Sequence, residues 1–266
     1  MDDRLQALLL GVLEGLTEFL PVSSTGHLIL AAELIGFAGE GSVAFKIAIQ
    51  FGAILAVLVA YRRLFASVAA GLLGGKTDAR AFARNILLAV LPALLLGALA
   101  YPVIRTLLET PVVVAVMLIA GGVLLLILDR RLKAPRVRSV SAMPVSTALG
   151  IGAVQCLAMV PGVSRSGATI LGGLLMGLDR RTAAEFSFFL AVPTMLAAAV
   201  YALWKERDRL SLDDVGLIGI GFSAAFVSAL LVVRGLVAFV GRHGFAPFAW
   251  YRIVAGSVAL VWLLAR

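Results

Sequence analysis

The chain is organised by apolar runs separated by short polar gaps. Such runs cover residues 45–61, 86–104, 111–128, 186–204, 215–240 and 247–264. Each approaches the ~20 residues that a helix needs to cross a ~30 Å hydrocarbon layer, so six transmembrane helices are predicted. Two further apolar stretches, 5–36 and 145–178, are each broken in the middle by a polar segment containing Pro, Gly and Ser. Broken backbone at membrane depth is tolerated only where protein or a wet cavity surrounds it, so both stretches read as re-entrant helix pairs.

The two broken stretches also resemble one another. Shifting the chain by 141 residues lays GVLEGLTEFLPVSSTGHLIL (11–30) on GAVQCLAMVPGVSRSGATIL (152–171). Gly11/Gly152, Leu16/Leu157, Val22/Val163, Ser23/Ser164, Gly26/Gly167, Ile29/Ile170 and Leu30/Leu171 are identical, and Phe45/Phe186 continue the register. Each half then holds one re-entrant pair and three spans. An odd number of crossings makes the second half start on the opposite side of the membrane. The fold class expected is an all-α integral membrane protein built as two inverted-topology repeats, about 1–130 and about 140–266, within a single polytopic domain spanning 1–266.

Composition agrees: 61% of the residues are hydrophobic, 14% are charged and the mean hydropathy is +1.04. A soluble core cannot absorb that much apolar surface. The net charge of +8 does not point to nucleic acid, because the basic residues sit in the gaps between runs, where they report topology. One side collects Arg62, Arg63, Lys76, Arg80, Arg84, Arg130, Arg131, Lys133, Arg136, Arg138, Arg180, Arg181 and Arg242, which is 13; the other holds Arg4, Lys46, Arg105, Lys205, Arg207, Arg209 and Arg266, which is 7. The loop at 205–214 on the second side also carries Glu206, Asp208, Asp213 and Asp214. The first side is expected to be cytoplasmic, which puts both termini and the mouth of the first re-entrant pair outside. The start of the chain, with acidic Asp2 and Asp3 and glutamates after its apolar run, reads as mature fold rather than a cleaved signal. Cys156 lacks the Cys and His neighbours of a metal site and reads as structural.

Polar residues inside apolar stretches carry the candidate chemistry. Glu14 and Glu18 lie four apart on one helical face, where each carboxylate costs roughly 2.5–3.5 kcal/mol on insertion scales. An interfacial position or a salt bridge would account for the pair structurally. The functional reading is a divalent cation, Mg²⁺ or Ca²⁺, held by oxygen ligands, with Glu14 and Glu18 as metal ligands. Downstream, Pro21-Val22-Ser23-Ser24-Thr25-Gly26-His27 breaks the run, and its hydroxyls can cap a helix over 28–36 whose N-terminus attracts anions. The second half repeats the construction as Pro161-Gly162-Val163-Ser164-Arg165-Ser166-Gly167-Ala168-Thr169. Arg165 needs a partner at that depth: either Glu14 or Glu18, or phosphate, whose oxygens suit its planar fork. His27 titrates near neutrality and suits proton transfer. His243, in the turn Arg242-His243-Gly244, reads as a loop residue.

EGLTEFLPVSSTGH and PGVSRSGAT, together with EFSFFLAVP at 185–193, resemble the signature regions of the undecaprenyl-pyrophosphate phosphatase family of the bacitracin-resistance type. The likeness runs over essentially the whole chain, with no departure in either signature. It implies hydrolysis of undecaprenyl pyrophosphate to the monophosphate and inorganic phosphate, recycling a lipid carrier for cell-wall synthesis and conferring bacitracin resistance. It further implies dependence on a divalent cation and a multi-pass location in the bacterial inner membrane, with the site opening to the periplasm. Carried over position by position, the functional residues fall on Glu14, Glu18, Ser24, His27 and Arg165, with Ser23, Thr25, Ser164, Ser166 and Thr169 as phosphate contacts. The partners implied are the polyprenyl pyrophosphate substrate and membrane lipid, with no nucleic acid and with a homodimer left open. A transporter or flippase for a polyprenyl phosphate or another anion is the rival, because inverted repeats with a polar midplane site serve that function equally well.

Overall fold

A computed structural model describes residues 2–36, 42–108, 110–130, 134–205 and 215–265. Among these residues the regular structure is helical, apart from one isolated bridge between Val137 and Leu178. The helices are α1 (Asp3–Thr17), α2 (Ser24–Ile35), α3 (Ser42–Ala60), α4 (Arg62–Leu73), α5 (Thr77–Leu108), α6 (Pro111–Arg130), α7 (Val145–Gln155), α8 (Arg165–Leu175), α9 (Arg180–Lys205), α10 (Val215–His243) and α11 (Ala246–Leu264). Helices α5, α6, α9, α10 and α11 are long and apolar enough to cross a membrane; α3 and α4, bent by 73° at Tyr61, pass the same test only when taken together, which makes five spans or six. The acidic loop residues Glu206, Asp208, Asp213 and Asp214, and the basic residues Arg131, Lys133, Arg207, Arg209 and Arg266, lie outside the described residues, as does the side chain of Arg105.

The expected spans hold, with three adjustments. Helices α5 and α9 start at Thr77 and Arg180, well before the apolar runs at 86 and 186, because charged first turns continue into the polar layer. Asp179 caps one of them, accepting the Thr182 N–H at 2.7 Å. Helix α4 was not foreseen: Arg62 and Arg63 read as the end of a span, but the chain turns and continues helically, seating Leu64, Phe65 and Val68 on the core. Helix α2 begins at Ser24, not at 28, so Ser23 is the cap and Ser24 belongs to the first helical turn.

Helices α2 and α8 have 12 and 11 residues and reach under ~20 Å at ~1.5 Å per residue, too short to span. Pairing exchanges between the two halves of the chain. Helix α1 packs on α10 while α7 packs on α5, α3 lies on α10 and α9 on α5, and α6 lies along α11. The central core forms around α9, whose Phe186, Phe188 and Phe189 are buried. Phe19 meets Phe188 edge-on at 5.4 Å, which brings the first break down onto that core.

Arg252 of α11 ties the breaks together. It is 1% exposed, and its guanidinium donates to five backbone carbonyls. Nε reaches Leu118 O at 3.3 Å; Nη1 reaches Pro21 O at 3.1 Å and Val163 O at 3.0 Å; Nη2 reaches Met117 O at 3.1 Å and Gly162 O at 2.9 Å. Three of these carbonyls, those of Pro21, Gly162 and Val163, come from the breaks, where irregular backbone leaves them without a helical partner, and two come from the middle of α6, so one side chain ties both breaks to that helix. Glycines make the room. A Cβ on Gly121 would stand 1.9 Å from Arg252 Nη2, and Gly162 adopts φ 92 where a Cβ would meet Val114 O at 2.5 Å.

Arg252→Lys should therefore destabilise the fold. A lysine has three donors at most and no planar fork, so it cannot span both breaks and α6 at once, and each break carbonyl left unpaired costs about 1–3 kcal/mol. Thermal unfolding in detergent should fall by about 5 °C or more, and Gly121→Ala, which pushes on the same guanidinium, should act in the same direction. Unchanged unfolding temperatures in both variants would show that the five contacts do not hold the breaks.

Candidate active site

Glu14 and Glu18 sit one helical turn apart at the end of α1, with Glu18 as its C-cap residue. The chain then turns through Phe19–Val22 and enters α2 by way of Ser23, whose φ of 71 is left-handed. Ser164 does the same before α8, with φ 79. Both seryl hydroxyl oxygens accept the N–H three residues on, Ser23 from Gly26 at 3.3 Å and Ser164 from Gly167 at 3.0 Å. Left-handed non-glycine residues cost of order 1–3 kcal/mol and persist where the surroundings over-determine them. Matching outliers at matching positions therefore mark the two turns as built features.

The turns bring Ser24 and Arg165, the first residues of their helices, onto one carboxylate. Ser24 Oγ donates to Glu18 Oε2, and Arg165 Nη2 donates to Glu18 Oε1 at 3.1 Å. Arg165 Nη1 donates to Ser187 O at 2.7 Å and to Ser187 Oγ at 3.4 Å, and its guanidinium carbon lies 5.8 Å from the centre of the Phe19 ring. A cation at a helix N-terminus opposes the helix dipole, so Glu18 and Ser187 account for its place there. Sequence reasoning missed Ser187. The available signal was a lone hydroxyl in the aromatic run EFSFFLAVP.

The remaining residues fall into two groups. Ser164, Ser166 and Thr169 join the buried network. Ser166 Oγ donates to Leu20 O at 2.6 Å, which leaves Ser164 to donate to Ser166 across 3.0 Å. Thr169 Oγ1 lies 2.9 Å from Arg165 O and 2.8 Å from Ser187 Oγ. Ser24 Oγ bonds to Glu18, while His27 uses both ring nitrogens on other partners. Thr25 is exposed. The His27 Nδ1 is 2.8 Å from Ser23 O, and since a carbonyl can only accept, Nδ1 carries the proton. Its Nε2 is 2.7 Å from the Tyr251 hydroxyl, with the two rings stacked at 5.5 Å. His27 thus braces the left-handed Ser23 turn. Tyr251 and Arg252 were also missed, although an arginine inside the run 247–264 carries the same signal that exposed Arg165. His243 ends α10 and bonds back to Phe239 O at 3.2 Å, so it is helical and not a loop residue.

Two side chains keep polar atoms open. Both Glu14 carboxyl oxygens and Arg165 Nε are buried without a hydrogen-bond partner. Buried polar groups normally have a partner, so the Glu14 carboxyl and the Arg165 Nε–H stand open beside the Ser24–Glu18–Arg165 chain. Among the described residues no group of three or more His, Cys, Asp or Glu is placed to hold a metal ion.

Fold and site together define a multi-pass α-helical membrane protein with a buried serine, carboxylate and arginine centre at the junction of two broken helix pairs. The chain matches the family described as bacitracin resistance protein BacA over residues 7–258 and belongs to it. It is 64% identical to the undecaprenyl-diphosphatase of Sphingopyxis alaskensis, over 99% of both chains. It is 55% identical to that of Rhizorhabdus wittichii, over 98% of both chains. Identity to undecaprenyl-diphosphatase 2 of Paramagnetospirillum magneticum is 54%, over 98% of this chain and 100% of that one.

Proposed function

We infer that the protein is an undecaprenyl-diphosphate phosphatase, converting the lipid diphosphate to undecaprenyl phosphate and inorganic phosphate, as the names of its near full-length relatives describe. The observation that carries the reaction to these residues is the Ser24 hydroxyl donating to Glu18 while Arg165 grips the other carboxylate oxygen. Ser24 Oγ attacks the terminal phosphorus, and its proton passes to Glu18 Oε2. The bond from that phosphorus to the bridging oxygen breaks, and the lipid monophosphate leaves. Glu18 gives that proton up to the departing monophosphate; water then cleaves the phosphoserine, Glu18 taking the water's proton and returning it to Ser24 Oγ as inorganic phosphate leaves. Arg165 offers the free Nε–H to a phosphate oxygen, and the N-terminal turns of α2 and α8 add backbone dipoles to the same charge. His27 keeps the Ser23 turn in place and leaves the serine proton to Glu18. A transporter would need the anion site alone, whereas a serine hydroxyl held on a carboxylate has its use in group transfer.

The open Glu14 carboxylate fits a divalent cation. With at most two carboxylates available, and Glu18 already engaged, the donor set suits Mg²⁺, which keeps waters and takes phosphate oxygens, better than Ca²⁺ with its six to eight ligands. Glu14 would be the ligand, with Glu18 contributing if its present partners yield. When bound, the cation neutralises charge on the diphosphate oxygens.

Two further readings belong to this proposal. The exchange of helix partners between halves and the paired left-handed serines support the inverted repeat. The basic excess at the Lys76, Arg136 and Arg180 end supports a cytoplasmic assignment for that end, with the site opening to the periplasm.

Ser24→Ala should lower turnover at least about a hundredfold, Ser24→Thr should keep part of it, and rapid quenching of the native enzyme should trap phosphate on Ser24. Turnover within about tenfold of native in the alanine variant, a barrier change of only ~1.4 kcal/mol, would hand the attack to water. Glu14→Gln should raise the divalent cation concentration needed for half-maximal activity about tenfold or more, since one anionic ligand is lost. An unchanged requirement would take the cation away from Glu14. For topology, a cysteine replacing Gly74 should react only with permeant thiol reagents in intact cells, and one replacing Thr110 should react with impermeant ones. Equal labelling at both would refute the orientation.

A further inference from the structure

We propose that the notch where α3 bends into α4 is a binding site for the phosphate headgroup of an anionic phospholipid. The chain turns 73° at Tyr61, and the turn opens a cavity of about 500 Å³ between α3, α9 and α10. Its polar lining comes from Tyr61, Arg181, Glu185, Arg234 and Arg242, and its apolar wall includes Val237. Arg181 Nε pairs with Glu185 Oε1 at 3.1 Å, so these two charges cancel. Arg234 and Arg242 have no acidic partner among the described residues and are exposed. The notch therefore carries two uncompensated guanidinium groups.

Position makes that excess informative. Arg234 lies nine residues, two and a half turns, inside the end of α10, about 14 Å along the axis, in a largely apolar stretch. An arginine at that depth, facing outward, demands an anion or a path to the interface. Helix α4, leaving the span axis at Tyr61, marks the level at which the chain meets the headgroup layer, and the cavity sits at that level. Arginine forks suit phosphate oxygens bidentately, Tyr61 adds a hydroxyl-bearing residue to the lining, and Val233 and Val237 in the same lining suit the first methylenes of an acyl chain. Basic pockets between spans are the common form of such sites. A neighbouring cavity of about 760 Å³ sets Lys76, Arg138 and Arg181 against Asp78, Asp179 and Glu185, so its charges balance and it makes no comparable demand. In the orientation proposed above, the lipid belongs to the cytoplasmic leaflet, but the site stands on its own geometry whichever leaflet it meets.

Native mass spectrometry of the purified protein in detergent, titrated with phosphatidylglycerol or phosphatidylcholine, tests this. Phosphatidylglycerol should bind more tightly than phosphatidylcholine. Arg234→Gln with Arg242→Gln should weaken phosphatidylglycerol about thirtyfold, at about fivefold per charge, while the paired lysine substitutions should retain most of the binding. Arg234→Gln alone, about fivefold weaker, serves if the double variant is unstable, and native turnover and unfolding temperature establish that each variant is folded. Unchanged phosphatidylglycerol binding in the glutamine variants would overturn the site. So would displacement of phosphatidylglycerol by a polyprenyl monophosphate at equal or lower concentration, which would assign the notch to the reaction product.

Discussion

The architecture depends on one buried guanidinium satisfying five carbonyls. A re-entrant break leaves peptide oxygens unpaired at a depth where water cannot reach them, and each such group costs several kcal/mol. Arginine is the one side chain with five donors fixed in a plane, and Arg252 spends all five on Pro21, Gly162, Val163, Met117 and Leu118. The two breaks are thereby held at a set separation, and everything catalytic sits within a few residues of them. The same helix supplies Tyr251, which holds His27, so α11 governs both the distance between the breaks and the conformation of the first.

Strain and electrostatics act together at that junction. Ser23 and Ser164 are held left-handed, which sends the chain sharply from the break into a helix whose first residue faces the opposite turn. Arg165 then sits against the dipole of its own helix and is stable there because Glu18 and Ser187 receive it. Glu18 is shared between a cation and a hydroxyl, while Glu14 and the Arg165 Nε stay unpaired. A site that keeps a donor and an acceptor open in a dry environment is preorganised for a charged ligand, since little has to reorganise when the phosphate arrives.

The spans, the breaks and the polar residues within them were legible in the sequence because each violates or obeys a simple cost. Long apolar runs have one economical fate, and Glu14, Glu18 and Arg165 stand out wherever polar groups are expensive. What could not be read was long-range. The partner of His27 lies 224 residues away on Tyr251, and only the folded chain shows that Tyr251 and the Ser23 carbonyl between them engage both ring nitrogens. Helix α4 was hidden because two arginines after an apolar run normally mark its exit from the bilayer. Ser187 was hidden because a single hydroxyl in a span is usually satisfied by its own helix. Arg252 is the exception, since the reasoning that selected Arg165 applies equally to an arginine in the run 247–264.

The proposed repeat explains why the site lies where the halves meet. A shift of 141 residues places Ser24 on Arg165, Glu14 on Gln155, Glu18 on Met159 and His27 on Ala168. The shared features are those of the scaffold: the capping serines, the glycines they bond and the left-handed turns. The chemistry is not shared. At equivalent first positions of α2 and α8 one half carries a hydroxyl and the other a guanidinium, and both meet the same carboxylate, which only the first half possesses. Two copies of either half would bring like groups together, serine on serine or arginine on arginine, and the latter pair would repel. A scaffold with near two-fold form and unlike residues at its equivalent points sets a nucleophile beside a phosphate-binding cation, with the base between them.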